Sequence, residues 1–143
     1  MIGENKYTGE YKHSIDPKSR VFIPSSMRDD MGEEVYIVKG VDPCIAVYPS
    51  DAWEAFTDKL NTLPEIQARR VKRFIYSSAV RTKVDSQGRI LIPQNLKEYA
   101  ELGKNVYFVG VGNHAEIWNE EKWINENDVD SEELVGTLIE LGF

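Results

Sequence analysis

Sulfur and imidazole are scarce. The 143-residue chain has one cysteine, Cys44, and two histidines, His13 and His114. A single cysteine excludes an internal disulfide and suits a reducing compartment. Cys44 follows Pro43 at the start of an expected strand and reads as a small buried residue. His114 follows Gly112-Asn113 and reads as a turn residue. Neither histidine lies beside an obvious nucleophile, and no CxxC, HExxH, P-loop or GxGxxG pattern occurs. The carboxylates fall in turns and near the C-terminus, without the spacing of a catalytic pair. The chain is therefore read as a non-enzyme, with no metal site and no cofactor indicated. Long apolar runs are missing too. No stretch approaches the roughly 18 apolar residues of a membrane span. Residues 1–6 lack the apolar core of a signal peptide, so a cytoplasmic protein without a membrane partner is expected.

What remains is ordinary in bulk and unusual in arrangement. A hydrophobic content of 41% and a charged content of 29% fit a soluble globular chain. At this length about two thirds of the unfolded surface can be buried, so folding needs no staple. The arrangement is a repeat. Asp16-Pro17-Lys18-Ser19-Arg20-Val21-Phe22-Ile23-Pro24 returns as Asp85-Ser86-Gln87-Gly88-Arg89-Ile90-Leu91-Ile92-Pro93. Both read Asp-x-x-x-Arg, three apolar residues, then Pro. The match extends outward. Tyr11–Ile15 faces Val80–Val84, Val35–Val38 faces Val106–Val109, Ala46-Val47-Tyr48 faces Glu116-Ile117-Trp118, and Trp53 faces Trp123. This is a tandem duplication of a unit of about 50 residues, too few copies for a solenoid.

Charge follows the repeat. The net charge is −7, which argues against a polyanionic partner until it is divided along the chain. Residues 119–143 hold Glu120, Glu121, Glu126, Asp128, Asp130, Glu132, Glu133 and Glu140 against Lys122 alone. Residues 69–97 hold eight basic residues against Asp85 alone, and residues 6–28 hold five against Glu10 and Asp16. Both motif copies lie in basic stretches, and a basic face beside an acidic tail is a pattern of polyanion binders.

Strands are expected at 7–15, 20–23, 35–39 and 44–48, and again at 79–84, 89–92, 105–110 and 115–118. A short helix follows each motif. The first runs from a Ser25 or Ser26 cap to Gly32, and the second covers 94–101 and is closed by Gly103. Ser50 is a candidate N-cap for a helix bearing Trp53, Phe56, Leu60 and Leu63 on one face. After Pro64 a second amphipathic helix runs to about 76, its polar side carrying Arg69, Arg70, Lys72 and Arg73. Asn119 caps a helix containing Trp123. Asp130 and Glu133 have capping-box spacing before a last helix whose Leu134, Val135, Leu138, Ile139 and Leu141 need a surface to dock on. Trp53 and Trp123, matched at helix starts, read as core anchors rather than base-stacking platforms. One unit alone would leave an apolar face open. Two units can pair strands about a pseudo-two-fold axis. The segments are residues 7–53 (first repeat), 54–76 (helical connector), 77–123 (second repeat) and 124–143 (acidic helical tail).

The turn itself carries the chemistry. An Asp at its first position ties the turn amides down through its carboxylate. An Arg four residues later opens the outgoing strand, held by that Asp and aimed. Its guanidinium fork suits a phosphate or a guanine edge. Lys12, Lys18, Arg81 and Lys83 lie on the same hairpins and would add phosphate contacts.

These residues resemble the SpoVT-AbrB swapped-hairpin domains. Two in tandem resemble the MraZ family of bacterial transcriptional regulators over nearly the whole chain. Gly9-Glu10-Tyr11, Gly40-Val41-Asp42-Pro43-Cys44, Arg73-Phe74, Ser77-Ser78-Ala79 and Glu116-Ile117-Trp118 add to the likeness. The resemblance implies a mixed α+β, mainly β fold: a pseudo-two-fold swapped-hairpin β-barrel of two tandem AbrB-like repeats with flanking helices. It implies a cytoplasmic, nucleoid-associated protein that binds double-stranded DNA at tandem promoter repeats upstream of the division and cell-wall gene cluster, its own gene included, as a ring-like homo-oligomer. It places the motif on Asp16, Arg20, Asp85 and Arg89. It adds a basic residue on each short helix, here Arg28 and Lys97. The family usually has Gly before the motif Arg. The second copy has Gly88, but the first has Ser19, which costs roughly 1 kcal/mol if the position needs positive φ. A differently shaped first turn is therefore expected. A second reading is a protein-interaction or antitoxin-like module of AbrB type, with the acidic residues 119–143 as the binding tail.

Overall fold

The computed structural model describes residues 6–127 and 131–143. Each repeat begins with a strand that its own repeat does not pair. The first gives β1 (Glu10–Ser14), β2 (Arg20–Phe22), α1 (Ser25–Met31), β3 (Glu34–Lys39) and β4 (Ile45–Pro49). The second gives β5 (Val80–Lys83), β6 (Arg89–Leu91), α4 (Gln94–Tyr99), β7 (Asn105–Gly110) and β8 (Ala115–Asn119). Between them lie α2 (Ser50–Leu60) and α3 (Glu65–Ser78). After them come α5 (Glu120–Glu126) and α6 (Glu132–Glu140).

Strand pairing exchanges the repeats. The large sheet has the order β1-β7-β8-β4-β3-β5, and β2 pairs with β6 in a separate ribbon. So β1 pairs with β7 of the other repeat, and β5 pairs with β3. Equivalent registers recur: Lys12 faces Tyr107, and Arg81 faces Tyr36. Ala46 faces its own counterpart, Glu116, where β4 meets β8, so the pseudo-two-fold axis passes between these residues. The fold is thus mixed and mainly sheet, with reciprocally exchanged strands. Pairing closes no barrel among the described residues: β1 and β5 remain edges of the large sheet, and the ribbon stands apart.

The ribbon is fixed by burial. In each three-residue strand the middle side chain points inward, because side chains alternate along a strand. Val21 and Ile90, with Ile23 and Ile92 just beyond, are buried against Val35, Ile37, Val106, Phe108 and Ile117 of the large sheet. Met27 of α1 and Leu96 of α4 close the same core. At about 25 cal/mol per Å² of apolar surface removed from water, burial of this shared core holds the two repeats together. The opposite face of the large sheet is covered by helices. α2 and α3 lie over Val38, Ala46 and Tyr48, with Trp53 stacked on Tyr36 at 4.9 Å. On the other half Trp123 packs beside Trp118 and Tyr107. Both tryptophans are core anchors, and Cys44 is fully buried beside Trp118.

Several local expectations change. α1 starts after Pro24 with no side-chain cap, and the Ser26 hydroxyl donates instead to the Tyr11 hydroxyl. α2 starts after Pro49 without a side-chain cap from Ser50. Proline at this position supplies the extended backbone that a helix entry needs, so a serine cap adds little. α4 ends at Tyr99, before Gly103. Asn119 does cap α5, accepting from the Lys122 amide. Asp130 of the expected capping box lies outside the described residues, and Ser131 caps α6 by accepting from the Leu134 amide. No helix among the described residues is long and apolar enough to cross a membrane.

Candidate nucleic-acid interface

The two motif turns have one geometry. In each, the Asp amide donates to the Arg carbonyl at 2.9 Å, and the fourth turn residue, Ser19 or Gly88, donates back to the Asp carbonyl. Asp16 Oδ1 accepts from the amides of Lys18 and Arg20, and Asp85 Oδ1 from those of Gln87 and Arg89, all at 2.9 Å. The other carboxylate oxygen takes the guanidinium: Arg20 Nε at 2.7 Å and Arg89 Nε at 2.8 Å. The Arg backbone amide, aided by the Arg side chain and the amide of Lys18 or Gln87, holds each Asp carboxyl below its ordinary range; burial opposes this. Each carboxylate thus orders a turn and an arginine together.

Ser19 does not reshape the first turn. It adopts φ 63°, beside φ 86° for Gly88. The strain of about 1 kcal/mol is accepted because five hydrogen bonds to the turn and its Asp over-determine the loop. The reason for the different residues lies across the axis. Lys97 of α4 reaches the first turn, its Nζ donating to Ser19 Oγ at 3.0 Å. Arg28 of α1 packs over the second turn, where a Cβ on Gly88 would stand 2.5 Å from Arg28 Nε. That Nε donates to the Ile23 carbonyl at 2.7 Å and cannot simply move aside. Each turn therefore meets the basic helix residue of the other repeat: serine offers an acceptor to a lysine, and glycine leaves room for an arginine. The turns also lock the ribbon, since Ile23 N donates to Gly88 O at 2.9 Å and Ile92 N to Ser19 O at 2.8 Å.

The outer face of the ribbon gathers these groups. Arg20 stands opposite Leu91, and Arg89 opposite Phe22. Phe22 lies beneath two guanidiniums, with Arg28 Cζ 5.5 Å and Arg89 Cζ 5.9 Å from its ring centre. Phe22 and Leu91 are exposed. Reading the sequence missed them as surface residues, although alternation in a strand puts the residue two after each Arg on the Arg face. Arg89 also comes within 3.9 Å of Asp16 Oδ2, so that one carboxylate faces both motif arginines. The side chain of Arg89 is 18% exposed and that of Arg20 31%. The Nη atoms of both donate no hydrogen bond among the described residues. They remain available to an anion, set on a face with Arg28, Lys97 and the exposed Lys18.

The other basic candidates lie elsewhere. Lys12 on β1 pairs with Glu120 at 3.1 Å, and Arg81 on β5 lies 3.7 Å from Glu34. These strands are opposite edges of the large sheet. Strand exchange carries the two hairpins' incoming strands apart while bringing their outgoing strands together. Lys83, at the end of β5, faces Glu34 in the register and is exposed.

The family model "MraZ protein, putative antitoxin-like" matches residues 7–74 and 75–133. The transcriptional regulator MraZ of Clostridium beijerinckii is 44% identical over 140 residues, covering 95% of this chain and 99% of that protein. The protein of the same name from Finegoldia magna is 44% identical over 140 residues, covering 94% and 98%. That from Heliobacterium modesticaldum is 44% identical over 124 residues, covering 85% and 87%.

Proposed function

The chain belongs to the MraZ family, and from that premise we propose that it is a cytoplasmic, nucleoid-associated transcriptional regulator that binds double-stranded DNA through the outer face of the β2–β6 ribbon. The observation that carries this reading is the pair of arginines, each tied through Nε to a turn carboxylate, with Nη atoms that donate no hydrogen bond among the described residues. A guanidinium already fixed in direction loses little freedom on binding and presents its remaining donors as a fork, matching two phosphate oxygens or O6 and N7 of guanine. Lys18, Arg28, Lys97 and, at the hairpin margins, Lys12, Arg81 and Lys83 supply phosphate contacts. Phe22 and Leu91 offer apolar contact to a thymine methyl between the two arginines. Asp16 and Asp85 support the turns.

One such face spans a short piece of duplex, and its phosphate attraction weakens steeply with salt. A ring of chains engaging successive repeats raises the effective concentration of each further contact. An acidic chain can bind repeated DNA tightly in this way. The expected targets are tandem promoter repeats upstream of the division and cell-wall gene cluster, including the chain's own promoter.

The test is a salt series of fluorescence-anisotropy titrations with DNA from upstream of the protein's own gene and a shuffled control. Wild type should prefer the upstream DNA. Arg20→Ala and Arg89→Ala should each weaken binding by roughly tenfold to a hundredfold, the worth of one bidentate arginine contact. Weak wild-type binding without preference would overturn the reading and favour a protein-interaction module.

A further inference from the structure

α6 is an amphipathic helix whose apolar face is largely uncovered among the described residues. Leu134, Val135, Leu138, Ile139 and Leu141 are all exposed, and α6 packs extensively on no other described element. It carries Glu132, Glu133 and Glu140 and no basic residue. α3 presents the opposite. Its inner side, Ala68 and Ile75, is buried. Its outer side exposes Ile66 among Arg69, Arg70 and Arg73, and the half-exposed Val71 and Phe74 flank it, Phe74 edge-on to Tyr99 at 6.2 Å. None of these arginines has a carboxylate partner among the described residues.

We propose that α6 of one chain docks on the exposed face of α3 of a second copy, and that this contact builds the oligomer; the inference rests on the oligomeric reading above. Two arguments select this occupant. The first is complementarity: each helix has an apolar patch that water exposes at a cost, and the flanking charges are of opposite sign. The second is placement. α3 lies against β3, while α6 follows α5, which packs on β7 and β8. α3 and the α5 that leads into α6 thus pack on opposite halves of the sheet, and α3 and α6 do not pack extensively on each other among the described residues. The joined surfaces differ, so the contact is heterologous. Such contacts run head to tail and close into rings when the rotation allows.

The experiment uses two full-length variants and sedimentation velocity. Val135→Asp with Ile139→Asp spoils the α6 face, and Arg70→Glu with Arg73→Glu spoils the α3 face. All four positions are exposed, and a wild-type far-UV circular dichroism spectrum with cooperative unfolding checks that each variant folds. Wild type should assemble. Each variant alone should need at least about a hundredfold higher concentration to do so, since like charges or buried carboxylates oppose the contact. An equimolar mixture should form a one-to-one pair, because one variant keeps only α3 and the other only α6. Variants that assemble like wild type would overturn the docking and leave the oligomeric reading standing. A mixture that stays monomeric would overturn it too, as an α6 that folds back on its own chain would produce. A monomeric wild type would defeat both readings.

Discussion

Two corners of the ribbon are built on the same plan with different materials. The corner around the first turn holds Ser19, Arg20, Leu91 and Lys97. The corner around the second holds Gly88, Arg89, Phe22 and Arg28. In the second corner a ring lies under two guanidiniums, and the turn has no side chain in the way. In the first, a flexible ammonium meets a hydroxyl beside an aliphatic chain. The second corner is the stiffer and more covered, and it suits a contact that must be held in one direction. The first is more open, and it suits contact with phosphate, where a point charge is enough. Duplication therefore produced equivalent positions without making them interchangeable.

The two corners should differ most at Gly88. Gly88→Ala places a methyl against Arg28 at positive φ. It should lower stability by about 1–2 kcal/mol, measured by urea unfolding. Ser19→Gly relieves strain but removes the Lys97 acceptor, so its effect should be near zero. Equal losses at the two positions would show that the corners do not differ in the way described.

A second asymmetry lies at the turns before β4 and β8, where Cys44 and His114 are counterparts. Cys44 is buried beside Trp118 of the other repeat, and His114 stacks on Tyr48 at 4.3 Å. Burial pushes the Cys44 thiol above its ordinary range and the His114 imidazole down from 6.5 to about 4. The unfolded chain therefore binds a proton at His114 between those values while the folded chain does not. Stability should fall as pH drops from 6.5 to about 4 and, from this group, no further below. The loss is on the order of 2 kcal/mol after allowance for partial exposure. His114→Phe keeps a stacking ring and should remove that slope in thermal melts at pH 7 and pH 4.5. An unchanged slope would place the pH sensitivity elsewhere.

The smallest effect is expected at Lys97. Lys97→Met should weaken binding about equally for all DNA sequences and reduce the salt slope by about one, as for a single phosphate contact. A change in sequence preference would instead make the first corner a reader of bases.

Much of this was legible in the residues. The repeat, the eight strands and the Asp–Arg turn follow from local chemistry: alternation, turn-forming residues and a carboxylate within reach of its own backbone. Ser19 was legible as a strained position but not as a harmless one, because what holds it is a hydrogen-bond set completed by Ile92. Phe22 and Leu91 do not stand out in the sequence, because an apolar triplet shows which member faces outward only once one end is assigned to Arg. Lys12 and Arg81 are close to the motifs in sequence, and only strand exchange decides that they lie on opposite edges of the large sheet.

The sequence alone determined what each unit is: its strands, the inward middle residue of each ribbon strand, and an arginine leashed to an aspartate. These depend on contacts within about five residues. Only the tertiary structure decided that β1 joins β7, that Arg28 and Lys97 cross to the opposite turns, and that α6 is left uncovered. Partners distant in the chain are chosen by which pairing buries the most apolar surface with every amide satisfied, and no local pattern encodes that sum.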